Sequence, residues 1–149
     1  MLVLKKKGQT FTQVLSRGTL ILNIKVWSFL MTIGFRILER KKKVALNIAK
    51  EFLTLPVANV SDSMWRLTAG GSRLRPMHKS GQMAGPALTV KSRPGDNLML
   101  HKAIDMAEPG DIIVCDAGGD LTNSLMGELM LAHAMKRGVG GFVLDGAVR

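Results

Sequence analysis

Two charged side chains set the chemistry open to this chain. Glu128 is followed by twenty residues and then by Arg149. An arginine grips a carboxylate through two parallel hydrogen bonds, which lysine cannot do. A glutamate positions a water or moves a proton. Gly127, Glu128, Leu129 and Met130 read as the first turn of a helix, whose free N–H groups and positive dipole end suit an anion. Arg149 stands just past a short apolar run, and ligands collect beyond the strand ends of open α/β sheets. These residues describe a site for a small anion. On spacing alone they also describe a solvated loop end and an exposed helix residue, the common fate of charged side chains.

The elements that must position them lie between residues 111 and 149. Ile112, Ile113 and Val114 form a β-branched run between the Pro109-Gly110 turn and Gly118-Gly119, which predicts a strand ending at the glycines. Asn123 or Ser124 is the expected cap of a helix carrying Leu125, Leu129, Ala132 and Met135 on its apolar face. Lys136 and Arg137 suit the negative end of that helix, and Gly138 supplies a left-handed stop. Phe142, Val143 and Leu144 make a second strand. A strand–helix–strand unit of this length is a parallel βαβ crossover, so the fold class is α/β.

Upstream, residues 44–53 carry a broad helical pattern that ends before Pro56, and Ser61 or Asp62 is placed to cap a second short helix through Trp65. Trp65 is expected to pack. Residues 70–79 form a loop whose Arg73, Arg75 and Lys79 suit an anionic substrate, although such charges are ordinarily solvated. Residues 85–94 read as a strand, and the Pro94-Gly95-Asp96-Asn97 turn leads into a helix from Asn97 to Met106 with Leu98, Leu100, Ala103, Ile104 and Ala107 available for burial. His101 falls on the helix surface. The single cysteine, Cys115, lies in an apolar strand and reads as core. VCDAGGD (114–120) lacks the third glycine of a dinucleotide fingerprint.

Four segments carry a resemblance. LPVANVSDSM (55–64), GPALTVKSRPGDN (85–97), AEPGDIIVCDAGG (107–119) and GELMLAHAMKRGVGGFVLDGAVR (127–149) resemble, in order and spacing, the RraA-like family of ribonuclease-activity regulators and metal-dependent 4-hydroxy-4-methyl-2-oxoglutarate aldolases. Glu128 and Arg149 match that family's D-x20-R-D signature, with glutamate replacing the first aspartate. The resemblance implies a three-layer β/β/α domain, here incomplete at its C-terminus, assembled as a homotrimer or homohexamer when full length. It implies aldol cleavage of a 4-hydroxy-2-oxo-dicarboxylate to pyruvate, with oxaloacetate decarboxylation as a side activity. Arg149 would bind the keto-acid end, the amides of Leu129 and Met130 its carboxylate, and Glu128 would orient a water. Asp96 and Asn97 are second-rank candidates for the cleft. A divalent metal, Mg²⁺ with Mn²⁺ as the alternative, would be held by an aspartate following Arg149. The chain stops at Arg149, so a shortened member with little or no lyase activity is expected. The alternative reading is a non-catalytic regulator whose partner is a ribonuclease.

The formal net charge of +10 divides unevenly. Residues 1–43 hold ten Lys/Arg and one acid, and residues 44–149 hold eleven Lys/Arg and ten acids. The basic character belongs to the N-terminal segment, so nucleic-acid binding by the domain loses its support. Residues 1–30 read as a basic leader outside the fold, with Met31 as the natural start and 31–149 as one domain. The apolar stretch 26–35 is too short to span a bilayer and lacks a small-residue cleavage site. A cytoplasmic protein without membrane partners is expected. Residues 40–43, Arg-Lys-Lys-Lys, read as a solvated charge run.

Overall fold

The structure is a computed structural model that describes residues 2–6 and 9–13 by their backbone, and residues 35–67 and 70–149 in full. Met31 and nearly all of the 26–35 stretch lie outside the described residues. The chain divides into two units, Met1–Glu39 and Arg40–Arg149. In the first, β1 (Leu2–Lys6) and β2 (Gln9–Gln13) pair as an antiparallel hairpin. Among the described residues no helix is long and apolar enough to cross a membrane.

The second unit is α/β. Its elements in order are α1 (Leu46–Glu51), a 3₁₀ turn (Phe52–Thr54), α2 (Val57–Ser63), β3 (Ala87–Lys91), α3 (Leu98–Met106), β4 (Ile112–Met126), α4 (Glu128–Lys136) and β5 (Gly141–Val148). The strands form one sheet in the order β3-β4-β5, parallel throughout, as the βαβ reading requires. Register sets Leu88, Ile113 and Phe142 in one row and Val90, Cys115 and Leu144 in the next. Leu100, Ala103 and Ile104 of α3 and Met130 and Ala134 of α4 close over those rows as a single apolar cluster. Burying each large member contributes about 1.5–3 kcal/mol. Leu98, which the helical pattern offered for burial, is left exposed.

The ends of α3 and α4 are locally encoded. Asp96 Oδ1 accepts the Leu98 N–H at 2.9 Å, so Asp96 holds the start of α3 while Asn97 occupies the cap position without a side-chain cap bond. At the end of α4, Gly138 (φ +76°) donates to the Met135 carbonyl and Val139 to the Ala134 carbonyl. That bond pair is a Schellman stop, available to glycine because of its positive φ.

Two short-range readings are corrected. α2 begins after Pro56, which places Ser61 and Asp62 in its last turn and not at its cap. Trp65 and Arg66 follow with φ of 58° each, and this left-handed pair turns the indole outward, 85% exposed. The Arg66 N–H bonds the Ser61 carbonyl, and its guanidinium reaches Asp62 at 2.7 Å.

Residues 40–43 are also not simply solvated. Arg40 and Lys43, three apart, turn inward while the two lysines between them face solvent. Arg40 Nη1 lies 2.7 Å from Asp111 Oδ2 and its Nη2 donates to the Ala87 carbonyl at 3.2 Å. Lys43 Nζ lies 3.0 Å from Asp111 Oδ1 and 2.5 Å from Glu108. Asp111 has no exposed surface and also accepts the Glu108 N–H at 3.0 Å. Burial pushes its carboxyl pKa up, but the bonds from Arg40, the Glu108 amide and Lys43 outweigh that and hold it below its ordinary value. This carboxylate sits one residue before β4 and ties the segment ahead of α1 to the sheet.

Removing one member of a buried ion pair leaves the others poorly matched. Asp111→Asn is expected to lower unfolding free energy by roughly 3 kcal/mol in denaturant titration. The native pKa lies below the unfolded one, near about 3.9. The clamp's stabilisation is therefore whole above about pH 4 and is lost as pH falls through the lowered native value. Acid titration of the variant should show that component missing; an unchanged acid transition would refute the clamp.

Candidate functional site

The site is built where β4 gives way to α4 and β5 ends. β4 does not stop at Gly118-Gly119. Both glycines adopt left-handed φ, +71° and +70°, and the strand continues as an irregular ribbon to Met126. Its partners on β5 show how irregular: Asp116 pairs Asp145, Asp120 pairs Gly146, Ser124 pairs Ala147 and Met126 pairs Val148. The expected cap residues Asn123 and Ser124 therefore lie in the strand, as does fully buried Leu125. Gly127 is the residue that caps α4, with extended backbone (φ −135°, ψ −177°) and no side-chain cap bond.

This one-turn displacement rotates the helix. Met130 and Ala134 are buried, whereas Leu129 (87% exposed) and Met135 (69%) point away from the core. Leu131 donates the first intrahelical bond, to the Gly127 carbonyl at 3.1 Å. The N–H groups of Glu128, Leu129 and Met130 thus lie ahead of the helical ladder, unsatisfied within it.

Arg149 is brought to this helix start. Its N–H bonds the Met126 carbonyl at 3.0 Å. Its side chain runs over Gly127: a β-carbon placed there would lie 3.2 Å from Arg149 Nε and 3.5 Å from its Cγ. The predicted pairing of Arg149 with the 127–130 turn is therefore present in space. Among the described residues the guanidinium has no carboxylate partner, and neither does Glu128, which is exposed, have a cation. An unpaired guanidinium beside unfilled amides and a positive dipole end is an anion receptor.

The other candidates are placed elsewhere. Asp96 and Asn97 are engaged at α3, the Asn97 amide facing Met130 Sδ at 3.7 Å, and the adjoining Gly95 lies against Asp120 and Asn123. Cys115 is 2% exposed and burial pushes its thiol pKa up, which makes it core and not a nucleophile. Asp116 and Asp120, at the two ends of DAGGD, are held by local partners. Lys91 and the Gly118 N–H hold the Asp116 carboxyl low, at 2.6 and 3.0 Å. The Thr122 hydroxyl does the same for Asp120 at 2.8 Å. Acid–glycine spacing in DAGGD was the available signal. Arg73, read as a solvated loop charge, reaches Asp145 at 3.1 Å.

The resemblance implies a divalent metal. Such a cation takes about six oxygen ligands, protein carboxylates among them. Among the described residues no three of His, Cys, Asp and Glu come together.

A parallel α/β unit with an arginine laid across a glycine-capped helix start defines the class as an α/β domain. Residues 57–149 match the RraA-like, or Aldolase/RraA, family, and the chain belongs to that family. A protein of Halalkalibacterium halodurans named "Putative 4-hydroxy-4-methyl-2-oxoglutarate aldolase" is 41% identical over 104 residues, covering 70% of this chain and 50% of that protein. The chain spans about half the length of the curated relatives it matches. Two solved structures share the fold. The RNA-processing inhibitor RraA from Thermus thermophilis is 25% identical with a TM-score of 0.55, covering 64% of this chain and 57% of that one. An uncharacterized protein from Pseudomonas syringae pv. tomato is 25% identical with a TM-score of 0.61, covering 78% and 55%.

Gly127→Ala tests the receptor geometry. The backbone angles at Gly127 are open to any residue, so circular dichroism should show an intact helix. The added methyl displaces the guanidinium, and pyruvate affinity should fall about tenfold. Unchanged affinity would show that the contact does not position Arg149.

Proposed function

We propose that this chain carries the keto-acid-binding half of an aldolase site, acting on 4-hydroxy-2-oxo acids and releasing pyruvate. The observation that supports it is the Arg149 guanidinium over Gly127 at the start of α4. The match to the Aldolase/RraA family and the names of its curated relatives give the reading its substrate class.

The chemistry follows from where charge develops. Cleavage removes the proton of the 4-hydroxyl and breaks the C3–C4 bond. The bonding pair moves into the enolate of pyruvate, and C3 then takes up a proton. Arg149 pairs the 2-oxo acid and faces the growing enolate charge, a stabilisation larger in the transition state than in the ground state. The amides of Leu129 and Met130 take the carboxylate, with the helix dipole aligned in their favour. Glu128, free of any cation, orients the water through which the proton moves. These roles are those that this chain's own residues supply, and no step is assigned to a metal.

A second reading rests on the likeness to the RNA-processing inhibitor RraA: a protein-binding regulator with a ribonuclease as partner. Fold alone does not separate the two. A binder would retain its partner in a pull-down after Arg149→Met, whereas the receptor would lose its ligand.

Pyruvate titration followed by NMR, in the presence of EDTA, tests the first reading. The wild-type chain should bind without metal, and Arg149→Lys should bind at least about tenfold more weakly, because lysine cannot make the bidentate contact. Equal affinity for wild type and Arg149→Lys would overturn the assignment.

A further inference from the structure

We infer that Arg75 selects for a second carboxylate on the ligand, seated in a cleft that runs along β5 away from Arg149; this rests on the keto-acid reading above. The cleft, about 950 Å³, is lined on one side by β5 from Phe142 to Val148 and on the other by residues 73–78. Its walls are largely apolar, Leu74, Met77, Met83 and Leu144 among them. It reaches Met126 and Val148, the register pair immediately before Gly127 and Arg149. A ligand held at Arg149 therefore has the cleft as the continuation of its site.

The loop that brings Arg75 there is fastened. Arg73 pairs Asp145 at 3.1 Å, and its guanidinium lies across the left-handed Gly119, where a β-carbon would collide with Nη1. The Gly118-Gly119 pair thus serves as a seat for an arginine and not as a phosphate loop. Asp145 lies four residues from Arg149, about 13 Å along the strand. Arg75 follows Arg73 by two residues on that fastened loop.

Charge decides what the cleft accepts. Arg73 is neutralised by Asp145. Arg75 and His78 also line the cleft, and neither has an acidic partner or a side-chain hydrogen bond among the described residues. A guanidinium at the edge of an apolar cleft favours a ligand with an anionic end over one with an uncharged alkyl end. The occupant that fits is a 2-oxo diacid whose backbone lies on the apolar wall, whose keto-acid end meets Arg149, and whose far carboxylate meets Arg75.

Two probes of equal chain length isolate the second carboxylate: 2-oxoglutarate and 2-oxopentanoate. Titrated against the full chain by NMR, wild type should prefer 2-oxoglutarate by at least about tenfold. Arg75→Met should bring the two affinities within about twofold, and Arg75→Lys should keep part of the preference. Arg149→Met should weaken both probes together. No preference in wild type, or an unchanged preference in Arg75→Met, would overturn the role of Arg75 while leaving the Arg149 receptor standing. Loss of preference in Arg75→Met with Arg149→Met binding both probes normally would instead remove the keto-acid reading, and the bridging diacid with it. Arg75 is exposed, so its variants keep the fold, which circular dichroism checks.

Discussion

The unequal pairing of β4 and β5 governs the geometry of the candidate site. Residues 116 to 126 of β4 run beside only residues 145 to 148 of β5. The surplus on β4 cannot be laid flat, and Gly118 and Gly119 absorb it in a conformation that side chains with a β-carbon resist. The result is that β4 ends level with β5. Met126 meets Val148, and the next residue on each chain, Gly127 and Arg149, are neighbours. Had β4 turned into helix at the glycines, α4 would begin beside Asp145 and Arg149 would face solvent alone. The same surplus opens the seat for Arg73, so one irregular ribbon positions both arginines.

Electrostatics places the rest. Residues 44–149 are close to neutral, with eleven Lys/Arg against ten acids, and several of those acids are already matched. Asp111 takes Arg40 and Lys43, Asp116 takes Lys91, and Asp145 takes Arg73. Asp111 shows the balance most clearly. Burial pushes its carboxyl pKa up, and Arg40, the Glu108 amide and Lys43 together bring it below its ordinary value. Against that background, Arg149 and Arg75 are among the described cations that have no acidic partner.

Much of the fold was legible from local pattern. The β-branched runs gave the strand cores, the helical spacing gave α3, Gly138 gave the stop of α4, and the linker length gave the parallel sheet. Arg149 and the 127–130 turn were legible as a pair from their positions at a strand end and a helix start. What was hidden depends on partners distant in sequence. Gly118-Gly119 has the local signature of a turn, and only hydrogen bonding to β5 carries the strand through it. Once the helix start moved from Asn123 to Gly127, the helix phase moved with it. Leu129 and Met135 then changed from expected core to surface. Arg40 and Lys43 likewise looked like any basic run, because their partner Asp111 lies about 70 residues away.

The choice of cap explains why this helix start can receive a ligand at all. A serine, aspartate or asparagine at the cap would fill a first-turn amide with its own oxygen and stabilise the helix by about 1 kcal/mol. Asn123 and Ser124 are close by in sequence, yet neither takes that role: Ser124 Oγ donates to the Met126 carbonyl instead. Gly127 offers the first-turn amides no side-chain cap, and the Arg149 side chain runs close over it. Glu128 favours the dipole as a charge in the first turn, but it cannot fold back onto its own amide and still face the ligand. The helix therefore begins less well satisfied than its sequence neighbourhood would permit. Among the described residues that deficit lies where the Arg149 side chain also runs, which is the feature on which the proposed carboxylate receptor rests.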